Sequence, residues 1–431
     1  MHASETSQEQ IAISAAELRR RTALEQYRKH VNSAMAGLCE MLGAGLEAKS
    51  EGCYVFNEDE KRFLDCGGFN VFLLGHRHPR VVEAVKRQLD CHPLSSRLML
   101  NEQFAQAAYK LAEVAPPGLQ YVWLANSGAE AVEAGIKLAW LNGCQRLVAM
   151  EGAYHGKTLG ALSLTGKPAY RNPFEALLPE VTRVPFGNVD ALTSAIGGAE
   201  KCCVILEPVQ AERGVVIPPV GYLKDVEQAC RQRGALLILD EISTGLGRLG
   251  CWWGADREQV VPDILLAGKA LSGGVMPVSA AICSPDAYAP LNREPLLHTS
   301  TFAGNPLAAA AAMAAVEVIQ TEELVSRSQL LGARLLEAIR TLMLDKCPHL
   351  VSEVRGLGLL IGIEFAEESR ATRFIFELLQ RGVLASHSLN AGYVVRLTPP
   401  AVMSEADVQW LLSAVHDSAV RLASKFKKRA A

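Results

Sequence analysis

Lys269 stands in the run Asp263-Ile-Leu-Leu-Ala-Gly-Lys269-Ala-Leu-Ser-Gly-Gly, where an apolar, strand-like segment delivers one amine into a Gly- and Ser-rich turn. A second apolar run, Ala235-Leu-Leu-Ile-Leu-Asp240-Glu241, delivers an acid. An amine and a carboxylate so placed are the pair that pyridoxal phosphate (PLP) chemistry needs. The amine forms a Schiff base with the cofactor aldehyde, and the carboxylate holds the pyridine nitrogen protonated. Burial would lower the lysine pKa and make the amine nucleophilic. A snorkelling surface lysine is the alternative, and the small flanking residues Ala267-Gly268 and Ala270 to Gly274 favour a tight site instead.

Other motifs could complete such a site. In Asn126-Ser127-Gly128-Ala129-Glu130 a strand gives way to a helix, whose unpaired N–H groups and dipole suit a phosphate. Ser127 would add a hydroxyl donor, or serve only as a helix cap. Gly152-Ala-Tyr154-His155-Gly156 places an aromatic where it could stack on a flat ring, or merely pack in a loop. Asp240-Glu241-Ile242-Ser243 combines a strand-end acid with Ile242, which could pack under the ring opposite Tyr154. A carboxylate there is costly unless paired or solvated. His298-Thr-Ser-Thr301-Phe-Ala-Gly-Asn-Pro306 offers hydroxyls to a phosphate, and Arg396 in Val394-Val-Arg396-Leu-Thr-Pro-Pro400 is a candidate carboxylate clamp. Gly245-x-Gly247-x-x-Gly250 matches a dinucleotide fingerprint, but Cys251-Trp-Trp-Gly-Ala is no helix start, so the glycines are expected to shape a loop.

Composition narrows the class. The chain has 431 residues, 49% of them hydrophobic, enough for a large core and a smaller lobe. A formal net charge of -3 predicts no broad attraction to nucleic acid or anionic membrane. Eleven cysteines without a C-x-x-C pair suggest reduced thiols and a cytoplasmic location. His76-x-His78 lacks further ligands, so no metal site is expected. Residues 1–20 have no apolar stretch of signal-peptide type, and the Ala-rich run Leu307 to Val316 reads as a buried helix too short for a bilayer.

These motifs need elements to position them. Residues 1–30 predict one or two exposed helices, frayed at the start, and Tyr54 to Asp65 predicts a hairpin. From residue 76 apolar strand candidates alternate with helices: Tyr121–Ala125, Arg146–Met150, Cys203–Leu206, Leu236–Leu239, Ile264–Ala267 and Ser279–Cys283. That is an α/β pattern with a mostly parallel sheet, whose ligands lie at the carboxyl ends of the strands. After residue 325 a helix over Leu330–Leu344, strands near Gly358–Phe365 and Tyr393–Leu397, and a helix from Glu405 predict a small α+β lobe. The expected division is an N-terminal segment over 1–75 that joins the small domain, a large PLP-binding domain over 76–325, and a small domain over 326–431.

In their order, Ser127-Gly-Ala-Glu-Ala-Val-Glu, Tyr154-His-Gly-Lys-Thr-Leu-Gly, Glu207-Pro-Val-Gln-Ala-Glu212, Asp240-Glu-Ile-Ser-Thr-Gly-Leu-Gly-Arg248, Gly268-Lys269-Ala-Leu-Ser-Gly-Gly, Thr301-Phe-Ala-Gly-Asn-Pro and Arg396-Leu-Thr-Pro-Pro resemble the class III aminotransferases of PLP fold type I. The resemblance runs from about residue 50 to 425. It implies Lys269 as Schiff-base lysine and proton shuttle, and Asp240 on the pyridine nitrogen. Ser127, Gly128 and Ala129 would hold the phosphate, and Tyr154 with Ile242 would sandwich the ring, with His155 beside it. It also implies a homodimer in which Thr301 reaches the neighbouring subunit's phosphate. Glu212 and Arg396 resemble a switch pair: Glu212 holds Arg396 for an amine and releases it to clamp a keto acid's α-carboxylate.

Within the family, His30-Val-Asn32, Gly67-Gly-Phe69-Asn, Leu74-Gly-His-Arg-His-Pro79, His92-Pro-Leu-Ser-Ser96, Val184-Pro-Phe-Gly-Asn188 and Gly273-Gly-Val-Met-Pro277 look like the putrescine (diamine) aminotransferases. Phe69 lacks the hydroxyl of the tyrosine in ornithine-type relatives, and Lys157 stands where they have arginine. Ser243 replaces a glutamine that contacts the cofactor's phenolic oxygen, and Arg213 adds positive charge beside the switch glutamate. The expected reaction moves nitrogen from a primary amine, such as a diamine, to a keto acid such as 2-oxoglutarate. A racemase or aminomutase, or a biosynthetic transaminase acting on a specialised, even thioester-bound, carbonyl compound, would use the same scaffold.

Overall fold

The computed structural model describes residues 14–177 and 179–427. The chain divides into two units, the first comprising the residues up to Ser50 together with Tyr54–Phe63. Its helix Ala15–Gln26 is capped by Ser14, which accepts the Glu17 N–H, and buries none of its residues. The exposed helix expected near the N-terminus is thus present, while its expected frayed start falls in residues 1–13, outside the described ones. A second helix, Ser33–Leu42, ends at left-handed Gly43, and strands β1 (Glu47–Glu51), β2 (Tyr54–Asn57) and β3 (Arg62–Asp65) follow. Between β2 and β3, Asn57 Oδ1 accepts the N–H groups of Asp59 at 3.1 Å and Lys61 at 2.9 Å, closing the polar turn of the expected hairpin.

The second unit holds Glu51–Cys53 and everything from Leu64. Its main sheet has seven strands: β4 (Tyr121–Ala125), β5 (Arg146–Met150), β6 (Val181–Val184), β7 (Cys202–Leu206), β8 (Leu236–Asp240), β9 (Ile264–Ala267) and β10 (Ser279–Cys283). The order is β4-β10-β9-β8-β7-β5-β6. Strands β9, β8, β7, β5 and β6 run parallel, and β10 lies antiparallel between β4 and β9. Every residue of β7, β8, β9 and β10 is buried, as continuous apolar runs covered on both faces require. The helix Gly128–Leu141 lies against this sheet, and a methyl at Gly135 would stand 3.2 Å from Ile238 Cδ1. The small residue therefore sets how closely helix and sheet approach.

A second, antiparallel sheet comprises β11 (Val351–Leu357), β12 (Leu360–Phe365), β14 (Ser386–Ser388) and β15 (Ala391–Leu397), in the order β11-β12-β15-β14. The short strand β13 (Val383–Leu384) pairs parallel with Leu64 and Asp65 instead. Helix Leu324–Lys346 packs on β11 and on helix Glu405–Lys427, and Glu368–Gln380 packs on β15. Five strands are absent from the sequence expectations: β1, β6, β11 and the short β13 and β14. The Ala-rich helix Pro306–Thr321 is buried along most of its length, with Asn305 capping the Ala308 N–H at 2.9 Å. No helix among the described residues is long and apolar enough to cross a membrane. The eleven cysteines are all free thiols.

No α-helix starts at the Gly245 to Gly250 segment; a bend and the short 3-10 helix Gly254–Glu258 follow it, and the segment packs against its neighbours. It docks on the β11–β12 turn: Leu359 N–H donates to the Arg248 carbonyl at 2.9 Å. The buried Arg248 guanidinium donates to the Leu359 and Pro399 carbonyls at 3.2 and 2.7 Å. Burial, reinforced by the Arg396 charge, pushes Arg248 down to about 9. Gly358 closes the contact at φ +53°, and a methyl there would stand 2.4 Å from the Leu249 carbonyl carbon. Gly358→Ala combines left-handed strain with a backbone clash and should cost about 2–4 kcal/mol. A lowered urea midpoint with an unchanged slope would show it, and a wild-type midpoint would refute this account of the docking.

Candidate active site

The carboxyl ends of the parallel strands bring the expected residues into one cleft. After β8, Asp240 is buried: its Oδ2 lies 2.7 Å from His155 Nδ1, and its Oδ1 accepts the Ile242 N–H at 3.1 Å. His155 follows β5, its own N–H bonded to Thr165 Oγ1 at 3.1 Å. The pairing resolves the cost of a strand-end acid in an apolar sheet. Ile242 wedges between two glycines: a Cβ on Gly128 would stand 3.1 Å from it, and one on Gly268 3.2 Å. Larger residues at either position would push Ile242 out of place.

Lys269 follows β9 with a left-handed backbone, φ +46°. Its Nζ donates to Ser243 Oγ in a short contact. Burial holds the amine below the ordinary lysine range; Glu212 pulls it up, Arg396 pushes it down, and Asp240 and Glu207 also pull it up. Glu207 is an acid that motif reading left without a role. It follows the buried end of β7 just as Asp240 ends β8, so the same strand-end signal could have found it. Its Oε2 accepts the Tyr154 N–H at 3.3 Å, and burial, then the Asp240 charge, raises its carboxyl well above the usual range.

Glu212 and Arg396 form a buried ion pair, with the Arg396 Nη1 against Glu212 Oε1. Burial pushes the Glu212 carboxyl up, but Arg396 and then Lys269 outweigh it, leaving the pKa below the ordinary glutamate value. The other oxygen, Oε2, accepts the Leu389 N–H at 2.8 Å. The Leu389 carbonyl in turn accepts from Lys167 Nζ at 2.6 Å and Tyr170 Oη at 3.2 Å. Asn390 Nδ2 binds the carbonyls of Gly152 and Ala153 at 3.0 and 3.1 Å. The turn between β14 and β15 is thus strapped over the pair, a feature no sequence motif announced.

Other expected residues lie around this centre. Ser127 caps helix Gly128–Leu141, its Oγ accepting the Glu130 N–H at 3.3 Å. The first-turn N–H groups at Gly128 and Ala129 have no partner within the helix. Tyr154 is half-buried, its phenol pushed up by burial, then by Glu212 and Tyr170. Lys157 stacks on Tyr170, with Nζ 4.0 Å from the ring centroid. Arg213 is committed to the Glu151 carbonyl at 2.9 Å and Gln210 Oε1 at 3.3 Å. Phe69 is 69% exposed at φ +50°, and its neighbour Asn70 donates to the Ser243 carbonyl at 2.5 Å. Thr301 stands apart: with Arg97, Trp123 and His298 it lines an open pocket of 540 Å³ that includes no residue of the Lys269 cluster. His76 and His78 pair with Asp65 at 2.8 Å and Glu322 at 3.1 Å.

The class-III aminotransferase model matches residues 44–418. The chain belongs to the class-III aminotransferase family. Ornithine aminotransferase from Toxoplasma gondii is 30% identical, with 94% of this chain and 99% of that one covered and a TM-score of 0.85; its structure records PLP at the active site. The ornithine δ-aminotransferase of Plasmodium falciparum is 27% identical over 88% of this chain and 94% of its own, at TM-score 0.77. A transaminase from the marine bacterium Virgibacillus, 24% identical over 94% of this chain and 100% of its own, shares the fold at TM-score 0.87. The α/β architecture is therefore that of a fold-type I enzyme, and the chain is a PLP-dependent transaminase. The donor set fits that cofactor: a depressed lysine amine, a buried strand-end carboxylate, a helix N-terminus with free N–H groups, and an Ile242 seated in the room left by Gly128 and Gly268.

The buried Glu212–Arg396 pair of this class-III aminotransferase generates a stability prediction. Glu212→Gln leaves the Arg396 charge uncompensated and should cost about 3–5 kcal/mol, whereas Glu212→Gln with Arg396→Met should recover most of it. Because the folded Glu212 pKa is depressed, the pair's contribution is complete above the ordinary glutamate value and is lost as pH falls through the lower folded one. Urea unfolding between pH 3 and 7 checks both points. Equal losses in the single and double variants would contradict the pairing argument.

Proposed function

We propose that this enzyme is an ω-aminotransferase, taking nitrogen from a primary amine, a diamine such as putrescine fitting best, and delivering it to a keto acid such as 2-oxoglutarate. The observation that carries this reading is the buried Glu212–Arg396 pair. While Glu212 covers Arg396, an amine without a nearby carboxylate enters past a neutralised wall. A keto acid's α-carboxylate replaces Glu212 on the guanidinium, so one site serves two unlike substrates. Phe69 offers no hydroxyl to a distal α-carboxylate, and Lys157 is drawn onto the Tyr170 ring. Both features argue against ornithine as the donor.

In this reading Ser127, Gly128 and Ala129 hold the PLP phosphate, Tyr154 and Ile242 close on the ring's two faces, and Asp240, steadied by His155, keeps the pyridine nitrogen protonated. The chemistry that PLP supplies when bound is an aldehyde that takes up amine nitrogen and a ring that accepts the electrons of a broken C–H bond. Lys269 Nζ, its pKa lowered by desolvation, would take the proton from the substrate's α-carbon and return it at C4′ of the cofactor. The assembly in this reading is a homodimer in which Thr301 meets the neighbouring subunit's phosphate. Support for an assembly on that side comes from the exposed side chains of Leu98, Met99, Leu100 and Phe302.

A panel of amine donors with 2-oxoglutarate and pyruvate, followed at the cofactor absorbance, tests the substrate class. Putrescine or a related diamine should convert the cofactor to its aminated form, and ornithine should do so at least tenfold more slowly. No spectral change with any ω-amine would end the proposal. Lys269→Ala should bind PLP and lose turnover by about 10³-fold or more. Normal turnover in that variant would overturn the mechanism.

A further inference from the structure

We propose that Ser243 is a positioning residue for the lysine amine: its hydroxyl parks Lys269 Nζ between proton transfers, and Asn70 holds Ser243 in place to do so. The inference rests on the reading of Lys269 as the proton-moving group. It departs from the expectation that residue 243 serves the cofactor's phenolic oxygen.

The chain of contacts that holds Ser243 starts in the 65–76 loop of the same unit. Asp65 Oδ2 lies 2.8 Å from His76 Nε2, and His76 stacks on Phe72 with ring centroids 3.7 Å apart. Asp65 Oδ1 accepts the N–H groups of Gly67 and Gly68, both at 2.9 Å. This fixes the turn that leads into Phe69 and Asn70, both with positive φ. Asn70 is buried and its Nδ2 donates to the Ser243 carbonyl at 2.5 Å, while the Ser243 Oγ accepts from Lys269 Nζ.

The latch answers an electrostatic problem. The charged groups that act on Lys269 are Glu212 and Glu207 from the segment after β7, Asp240 at the end of β8, with His155 against it, and Arg396 on β15. A protonated amine free to swing would be drawn to one of the three carboxylates and away from the reacting carbons. A neutral hydroxyl accepts the ammonium without neutralising any of them. Because a hydrogen bond from an ammonium is stronger than one from a neutral amine, the hydroxyl also favours the charged form, and its loss should lower the amine pKa further.

The test uses the full chain loaded with pyridoxamine phosphate, which leaves the lysine amine free. Acetylation of Lys269 by acetic anhydride is followed against pH by peptide mass spectrometry. In Ser243→Ala the labelling midpoint should fall by about one unit, Ser243→Thr should keep the wild-type midpoint, and Asn70→Ala should fall part of the way. Steady-state kinetics of Ser243→Ala should show kcat down about tenfold with KM within about twofold. Coincident midpoints in wild type and Ser243→Ala would overturn the proposal. Borohydride reduction of the PLP form separates the two readings. A tag on a lysine other than Lys269 defeats the lysine assignment itself, whereas a tag on Lys269 with coincident midpoints defeats only the role of Ser243.

Discussion

A lysine amine held out of water among three carboxylates and an arginine is the constraint on which the rest of this structure depends. Desolvation lowers the pKa of the amine, while Glu212, Asp240 and Glu207 each draw it back toward the charged form. The site balances them differently. Glu212 is matched to Arg396, Asp240 faces His155, and Glu207 has a carboxyl raised well above the usual range by burial and by Asp240. The carboxylates are therefore distributed among separate partners, and the amine remains depressed overall.

Such a balance requires placement from several parts of the chain, and the sheet provides it. Parallel strands β5, β7, β8 and β9 all discharge at one edge, so His155, Glu207, Asp240 and Lys269 meet although 114 positions separate the first from the last in sequence (269 minus 155). Arg396 arrives from the second sheet, whose β11–β12 turn is seated on the Arg248 segment through Gly358. The fingerprint-like glycines at 245, 247 and 250 pack closely against Trp253, Val325 and Gln329, while Arg248 and Leu249 between them meet Gly358. A dinucleotide motif and a close-packed joint select glycine for the same reason, close backbone approach, which is why the pattern alone could not separate them.

The same reasoning explains what was legible from sequence. Lys269 and Asp240 stood out because each follows an uninterrupted apolar run, which a strand buried on both faces produces. Strands β6 and β11 were missed for the opposite reason: Val181-Thr-Arg-Val and Val351-Ser-Glu-Val-Arg mix charge and polarity, and β6 lies at the sheet edge with one neighbour. Glu207 was visible as an acid after a buried strand but carried no spacing rule. The contacts from Asn70 to Ser243 and from Leu389 to Glu212 span 173 and 177 positions and join loops. No local periodicity encodes them, so they appear only once the strands have brought the loops together.

A last consequence concerns how one pocket discriminates. A buried ion pair contributes little net stability against a well-packed apolar replacement, so Glu212 and Arg396 are poorly explained as structural glue. In the proposed reading their value lies in exchangeability. Glu212 is anchored twice, by Arg396 and by the Leu389 N–H, so losing the guanidinium leaves it one hydrogen bond. The strap through Lys167, Tyr170 and Asn390 holds that second anchor in position. In that reading a carboxylate arriving on Arg396 would displace a partner that keeps its Leu389 hydrogen bond, and the cost of opening the pair would be reduced on the glutamate side. An arginine whose covering acid lacked a second anchor would either hold too tightly to open or release a mobile charge beside the reacting amine.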